Sequence, residues 1–248
     1  LNSGNNATCA AIDQRNVVRP QGGACEIGAV EIGDMPPTAT ATPIQTATST
    51  PMPTATATPL PPTATPTPPA GSDYVVGNGS AESCNENTFA AALTVGGTVV
   101  FNCGASPVTI PFSRRQIIDR DIVIDGGNML TFDGGGVTAI LGTETYLDVG
   151  LKNLHIVNGH SEEQGAGLNL GYWSNLTVEN VTFDNNVSTA DEFICDGGGA
   201  LFIGGGSTAV ISDSTFTRNV ANNGGGINNL RSGLVVTNSY FEDNHATH

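Results

Sequence analysis

Between Leu151 and Asn244 apolar and polar positions alternate in short runs, and one eleven-residue pattern returns four times: LKNLHIVNGHS (151–161), VENVTFDNNVS (178–188), ISDSTFTRNVA (211–221) and VTNSYFEDNHA (236–246). Aligned, the runs place Ile156, Phe183, Phe216 and Phe241 in one column, and Asn153, Asn180, Asp213 and Asn238 in a second. Gly159, Asn186, Asn219 and Asn244 form a third. Glycine-led apolar runs precede three of these units: GAGLNLG (165–171), GGGALFIGG (197–205) and GGGINNL (224–230). Alternation over such short stretches predicts strands, and a repeat of roughly 25 to 33 residues is too long for an array of hairpins.

A unit of short strands and Gly/Asn turns cannot bury its own apolar face, so it must stack on copies of itself. The arrangement that satisfies this is a single-stranded right-handed parallel β-helix. Successive turns lie about 4.8 Å apart, which makes residues of one column neighbours in space. Large apolar residues then stack inside, and the asparagines form hydrogen-bonded ladders at the corners. Glycine suits corner positions that need positive φ. A βαβ sheet is excluded because no helical pattern of 10 to 15 residues lies between the strands.

Upstream, YVV (74–76), TVVFNCG (98–104), VTIP (108–111), DIVIDGG (121–127) and LTFDGGG (130–136) read as short strands bounded by turns. NENTFAAALTVGG (85–97) reads as one short helix, capped by Asn85 or Asn87, with Phe89 and Leu93 on a shared face and Gly96 ending it. A helix ahead of the strands covers the open end of a coil, which otherwise exposes an unpaired edge. The fold class is therefore all-β with one capping helix. The β-helix occupies 73–248, its cap about 73–120 and its coils about 121–248; the last repeat stops short at His248, as in an internal fragment of a longer chain.

The chain carries a net charge of −15 with few Lys and Arg, which argues against nucleic acid or an anionic membrane as partner. No apolar run approaches the ~20 residues of a membrane helix. Of five cysteines, Cys9 and Cys25 bracket one short loop and Cys84 and Cys103 another, leaving Cys195. Two local disulfides, Cys9–Cys25 and Cys84–Cys103, are expected, and with them an oxidising, extracellular setting. The absence of a CxxC pair argues against a zinc site or a thioredoxin-type motif.

The N-terminal 33 residues are too few for a core. From 34 to 72 the sequence turns to PPTATATPIQTATSTPMPTATATPLPPTATPTPPAGS, without charge or aromatic residue after Asp34, and reads as an extended, semi-rigid disordered linker open to O-glycosylation. Within the tail, Cys9, the triplet Asp13 to Arg15, the run Arg19 to Cys25 and the strand Ile27 to Glu31 resemble the end of choice-of-anchor Q domains, with Glu26 where that family has Asp. That resemblance implies an upstream β-helix domain whose C-terminal tail is 1–33, with Asp13 and Arg15 in structural capping. Residues 84 to 161, with C…FAAAL…GGTVVFNCG…IDGG, resemble the start of secreted bacterial β-helix proteins of the pectate-lyase-like superfold. The GGGAL/FTRN and GGGI/FEDN repeats are similar to those of polymorphic outer-membrane protein adhesins. These resemblances imply architecture and export, and an adhesive role; they carry no catalytic residue.

Candidate chemistry is sparse. The exposed aromatics Tyr172 and Trp173, in LGYWSNL at a coil corner, are a platform for sugar rings or corner packing. Phe183 and Phe216 are 33 positions apart where neighbouring spacings are 27 and 25, so VSTADEFICD (187–196) is a protruding insertion. Its Asp191, Glu192 and Asp196 offer hard oxygen ligands for calcium, the one cofactor in view, although no DxDxDG spacing is present. Arg218 is expected beside Asp243 on the next coil, and Lys152 beside Glu179, as surface ion pairs rather than a lyase base beside an acidic metal site. The histidines at 155, 160, 245 and 248 show no metal spacing, and NGHS (158–161) lacks the paired aspartates of the β-helix polygalacturonases that it resembles. The expected function is that of a non-catalytic, exported, multidomain surface protein whose partners are polysaccharides, cell-surface glycans or proteins. The alternatives are a calcium-dependent polysaccharide lyase and a purely structural spacer.

Overall fold

A computed structural model describes residues 74–190 and 197–247. The tail, the linker and Cys9–Cys25 lie outside the described residues, as do Asp191, Glu192, Cys195 and Asp196 of the insertion. The described chain winds into an all-β parallel solenoid with one short helix, and every strand pair is parallel.

Three sheets run along the coil. The first passes through Tyr74–Val76, Gly97–Phe101, Ile122–Asp133, Asp148–Val157, Asn175–Asp184, Thr208–Ser212 and Gly233–Thr237, joined past a corner by Thr215–Thr217 and Tyr240–Glu242. The second stacks Gln116–Ile118, Leu141–Thr143, Leu168–Leu170, Leu201–Ile203 and Ile227–Asn229. A narrow third stacks His160–Ser161, Val187–Ser188, Val220–Ala221 and His245–Ala246.

Register follows the sequence columns. Phe132, Ile156, Phe183, Phe216 and Phe241 pair in order, as do Ile124, Leu151, Val178, Ile211 and Val236. The side chains of Phe183 and Phe216 lie parallel with centroids 4.9 Å apart, and those of Phe216 and Phe241 4.7 Å apart. That spacing is the rung repeat itself, so equal side chains in a column stack face to face. The 33-residue coil keeps the register because its surplus is taken up between the third and second sheets, where the insertion lies.

At the N-terminal end Glu86–Leu93 is helical, with Asn85 capping through a reciprocal box with Thr88. Phe89 is fully buried and meets Phe132 at 4.8 Å, so the helix plugs the first coil. Cys84 and Cys103 are disulfide-bonded, tying the start of this helix to the strand behind it. The runs DIVIDGG and LTFDGGG, expected as separate strands, form one strand, Ile122–Asp133, with a register shift between Asp125 and Leu130. Gly126 to Met129 stand opposite the single Asn153; the extra residues bulge outward and pairing resumes beyond them, because both flanking segments have apolar columns to fill.

Candidate functional site

Each coil turns through left-handed backbone positions that stack into rows. Asn153, Asn180, Asp213 and Asn238 form one such row, with φ between 45° and 54°; Asn158, Asn185, Arg218 and Asp243 form another. Asparagine tolerates this conformation better than most residues. Asn180 Nδ2 donates to Asn153 Oδ1 (2.9 Å), Asn153 Nδ2 to Asp125 Oδ1 (3.0 Å), and Asn238 Nδ2 to Asp213 Oδ1.

A further row contains Tyr146 (φ 62°), Trp173 (φ 54°), Gly206 (φ 78°) and Arg231 (φ 54°). Backbone bonds fix its order: Tyr146 N–H donates to Tyr172 O, Trp173 N–H to Gly205 O, and Gly206 N–H to Arg231 O. Large rings on left-handed backbone cost roughly 1 kcal/mol or more each and persist only when the surroundings over-determine them. Here a serine ladder, buried at Ser174 and Ser207, does so. Ser174 Oγ accepts from Leu147 N–H (3.0 Å), Ser207 Oγ from Ser174 N–H (3.0 Å) and Ser232 Oγ from Ser207 N–H (3.2 Å). The same hydroxyls donate back to Tyr172 O, Gly171 O and Gly204 O.

On this rigid corner the rings stay in solvent. Tyr146 is 70% exposed, Trp173 56% and Tyr172 43%. Tyr146 and Trp173 stack at 5.2 Å with planes 10° apart, and Tyr172 tilts against Trp173 at 5.8 Å. The indole lies over Gly206, where a Cβ would fall 2.4 Å from Trp173 Cδ1, so glycine is what lets the ring lie down. The result is an exposed, pre-ordered aromatic surface across adjacent rungs, in which the indole lies between the Tyr146 ring and Gly206 and the Tyr146 ring is left the most open. Little side-chain entropy remains to be lost on binding.

Tyr172 and Trp173 thus come together at an exposed corner, and Tyr146 joins them although sequence reading missed it. The signal was weak: YWSNL, GGSTA and LRSGL share the column Ser174, Ser207 and Ser232, and TYLDV has Leu147 in its place. Arg218 departs from expectation, for it pairs with Asp184 on the preceding coil rather than with Asp243. Asp184 pairs in register with Thr217, and the left-handed turn at Arg218 directs the guanidinium back toward it. Lys152 meets Glu179 at 3.0 Å. Among the described residues no group of three or more His, Cys, Asp or Glu is placed to hold a metal ion. Among the described residues no helix is long and apolar enough to cross a membrane.

No protein-family model matches the chain, and no solved structure matches it. A stretch of 114 residues, 43% of the chain, is 32% identical to a protein of Dictyostelium discoideum named metabotropic glutamate receptor-like protein R, and it spans 7% of that protein's length.

Proposed function

We propose that the chain is an exported cell-surface protein whose solenoid binds glycans through the Tyr146–Tyr172–Trp173 corner. The observation that carries this reading is the stacked, solvent-exposed ring pair held on left-handed backbone by the serine ladder. Packing alone does not call for it: the rings leave most of their surface in water, so hydrophobic burial returns little for the backbone strain. The Cys84–Cys103 disulfide supports an oxidising compartment. The resemblances to secreted bacterial β-helix proteins, to choice-of-anchor Q tails and to polymorphic outer-membrane adhesin repeats favour surface display. The Dictyostelium protein bears a receptor-like name, in keeping with a surface location, and lends no ligand.

The test is a glycan array probed with the purified chain and with Tyr146→Ala and Trp173→Ala. Binding that falls at least about tenfold in both variants, as expected when a ring contact worth 1–3 kcal/mol is lost, supports the reading. Binding that survives both substitutions sinks it. Unsaturated sugar product on incubation with acidic polysaccharides would instead establish a lyase.

A further inference from the structure

Of six basic side chains among the described residues, four are held by carboxylates: Arg115 by Glu163, Arg120 by Asp119, Lys152 by Glu179 and Arg218 by Asp184. Arg114 and Arg231 have no such partner among the described residues. Both lie at ends of the second sheet's rungs, Arg231 in the aromatic row and Arg114 just before the strand Gln116–Ile118. In a chain of net charge −15, an exposed arginine left without a carboxylate is the exception.

Arg114 borders an open cleft of about 260 Å³ between the end of the capping helix and this first rung. Leu93 and Ile117 give it an apolar side, Ile117 being 49% exposed. Arg115, Gln116 and Asp119 give it a polar one. Gln116 is buried at 4% exposure and its amide donates to Glu86 Oε1 (2.9 Å) and Arg114 O (3.0 Å). Arg115 stretches across Gly142 to Ser161 Oγ and Glu163, and its Nε is buried with no hydrogen-bond partner among the described residues.

Arg115 is neutralised by Glu163 and Arg120 by Asp119, and both oxygens of Glu86 are engaged, Oε2 by Ser113 and Oε1 by Gln116. Arg114 is thus left without a carboxylate among the described residues at the edge of the cleft, available to an anion. The cleft is smaller than the roughly 300–1,000 Å³ of drug-sized sites, which suits one sugar ring rather than a chain lying through it. Asp119 both lines the cleft and starts the corner one rung below Glu144, whose N–H donates to Ile118 O, two residues before Tyr146.

Resting on the glycan reading, we propose that the Arg114 cleft is an end-on subsite for a terminal carboxylate-bearing sugar, whose neighbouring units lie on the aromatic corner. Arg114 offers a planar fork to the carboxylate, and Leu93 and Ile117 take the apolar face of the ring.

The experiment is calorimetric titration of the whole chain with three oligosaccharides alike except at the terminal unit: glucuronate, glucose, and glucose 6-sulfate. The glucuronate-terminated ligand should bind about tenfold more tightly than the neutral one, the effect of one charge-assisted contact. Arg114→Gln should bring the affinities for the acidic and neutral ligands to within about twofold of each other, whereas Trp173→Ala should weaken both ligands and keep their ratio. Equal binding of acidic and neutral ligands by the parent chain overturns the subsite while sparing the corner. So does discrimination that persists in Arg114→Gln. Preference for sulfate over carboxylate overturns the assigned chemistry. Failure of all three to bind overturns the glycan reading and this inference with it.

Discussion

Asn219 Oδ1 accepts two hydrogen bonds from Asn186, one from its backbone N–H and one from its amide, each at 3.0 Å, inside a core from which both residues exclude water. Asn244 repeats the arrangement toward Asn219 at 3.1 and 2.8 Å. Each amide also donates to a carbonyl on a lower rung, Asn186 to Ile156 O and Asn219 to Phe183 O, both at 3.0 Å. Asn219→Leu therefore strands the two Asn186 donors and the Phe183 carbonyl. The expected loss is on the order of 3 kcal/mol in urea unfolding. A loss below about 1 kcal/mol would show that water replaces the ladder.

The phenylalanine column makes a graded prediction. Phe216 is fully buried between Phe183 and Phe241, whereas Phe241, on the last described rung, is 46% exposed. Phe216→Ala should cost about 3–5 kcal/mol and Phe241→Ala less than half of that. Equal losses by chemical denaturation would contradict the stacked column.

Trp173→Gly separates stability from binding. Glycine relieves the ring's left-handed backbone strain and forfeits one exposed stacking pair, two contributions of about 1 kcal/mol and opposite sign. The melting temperature should stay within a few degrees while glycan binding is lost. A variant that no longer folds would mean that the ring is a structural member of the corner.

Removing the Cys84–Cys103 link, whose residues are 19 apart in sequence, should cost about 3 kcal/mol by freeing the loop in the unfolded chain. Reductant should destabilise the parent chain, measured with Cys9, Cys25 and Cys195 replaced by Ser, and leave a further Cys84→Ala/Cys103→Ala variant unmoved.

Arg120 donates a hydrogen bond to Asp119 and holds its carboxyl below the ordinary value of 3.8. A carboxylate with a depressed pKa stabilises the fold above its unfolded pKa, and that contribution fades as pH falls through the folded one. Both groups are exposed, so the stability effect is small and the shift is best read by NMR titration of Asp119. Arg120→Gln should return the midpoint upward.

Much of this solenoid was legible because its repeats are one-dimensional. Once Phe183, Phe216 and Phe241 align, parallel stacking forces their neighbours into rows, and the helix cap at Asn85 follows from local chemistry alone. The site was half legible. Tyr172 and Trp173 stood out as exposed aromatics, but Tyr146 sits in a sequence, TYLD, with no feature of its own.

The sequence by itself determined the stacking, because identical rungs bury their apolar faces only against each other. It also marked the corner asparagines, since few residues tolerate left-handed backbone. Tertiary structure alone decided which partner Arg218 takes, that two short runs fuse across a bulge, and that Tyr146 reaches Trp173. These depend on where a side chain points after a turn, and turn geometry is set by contacts with the rungs above and below rather than by the residues of the turn.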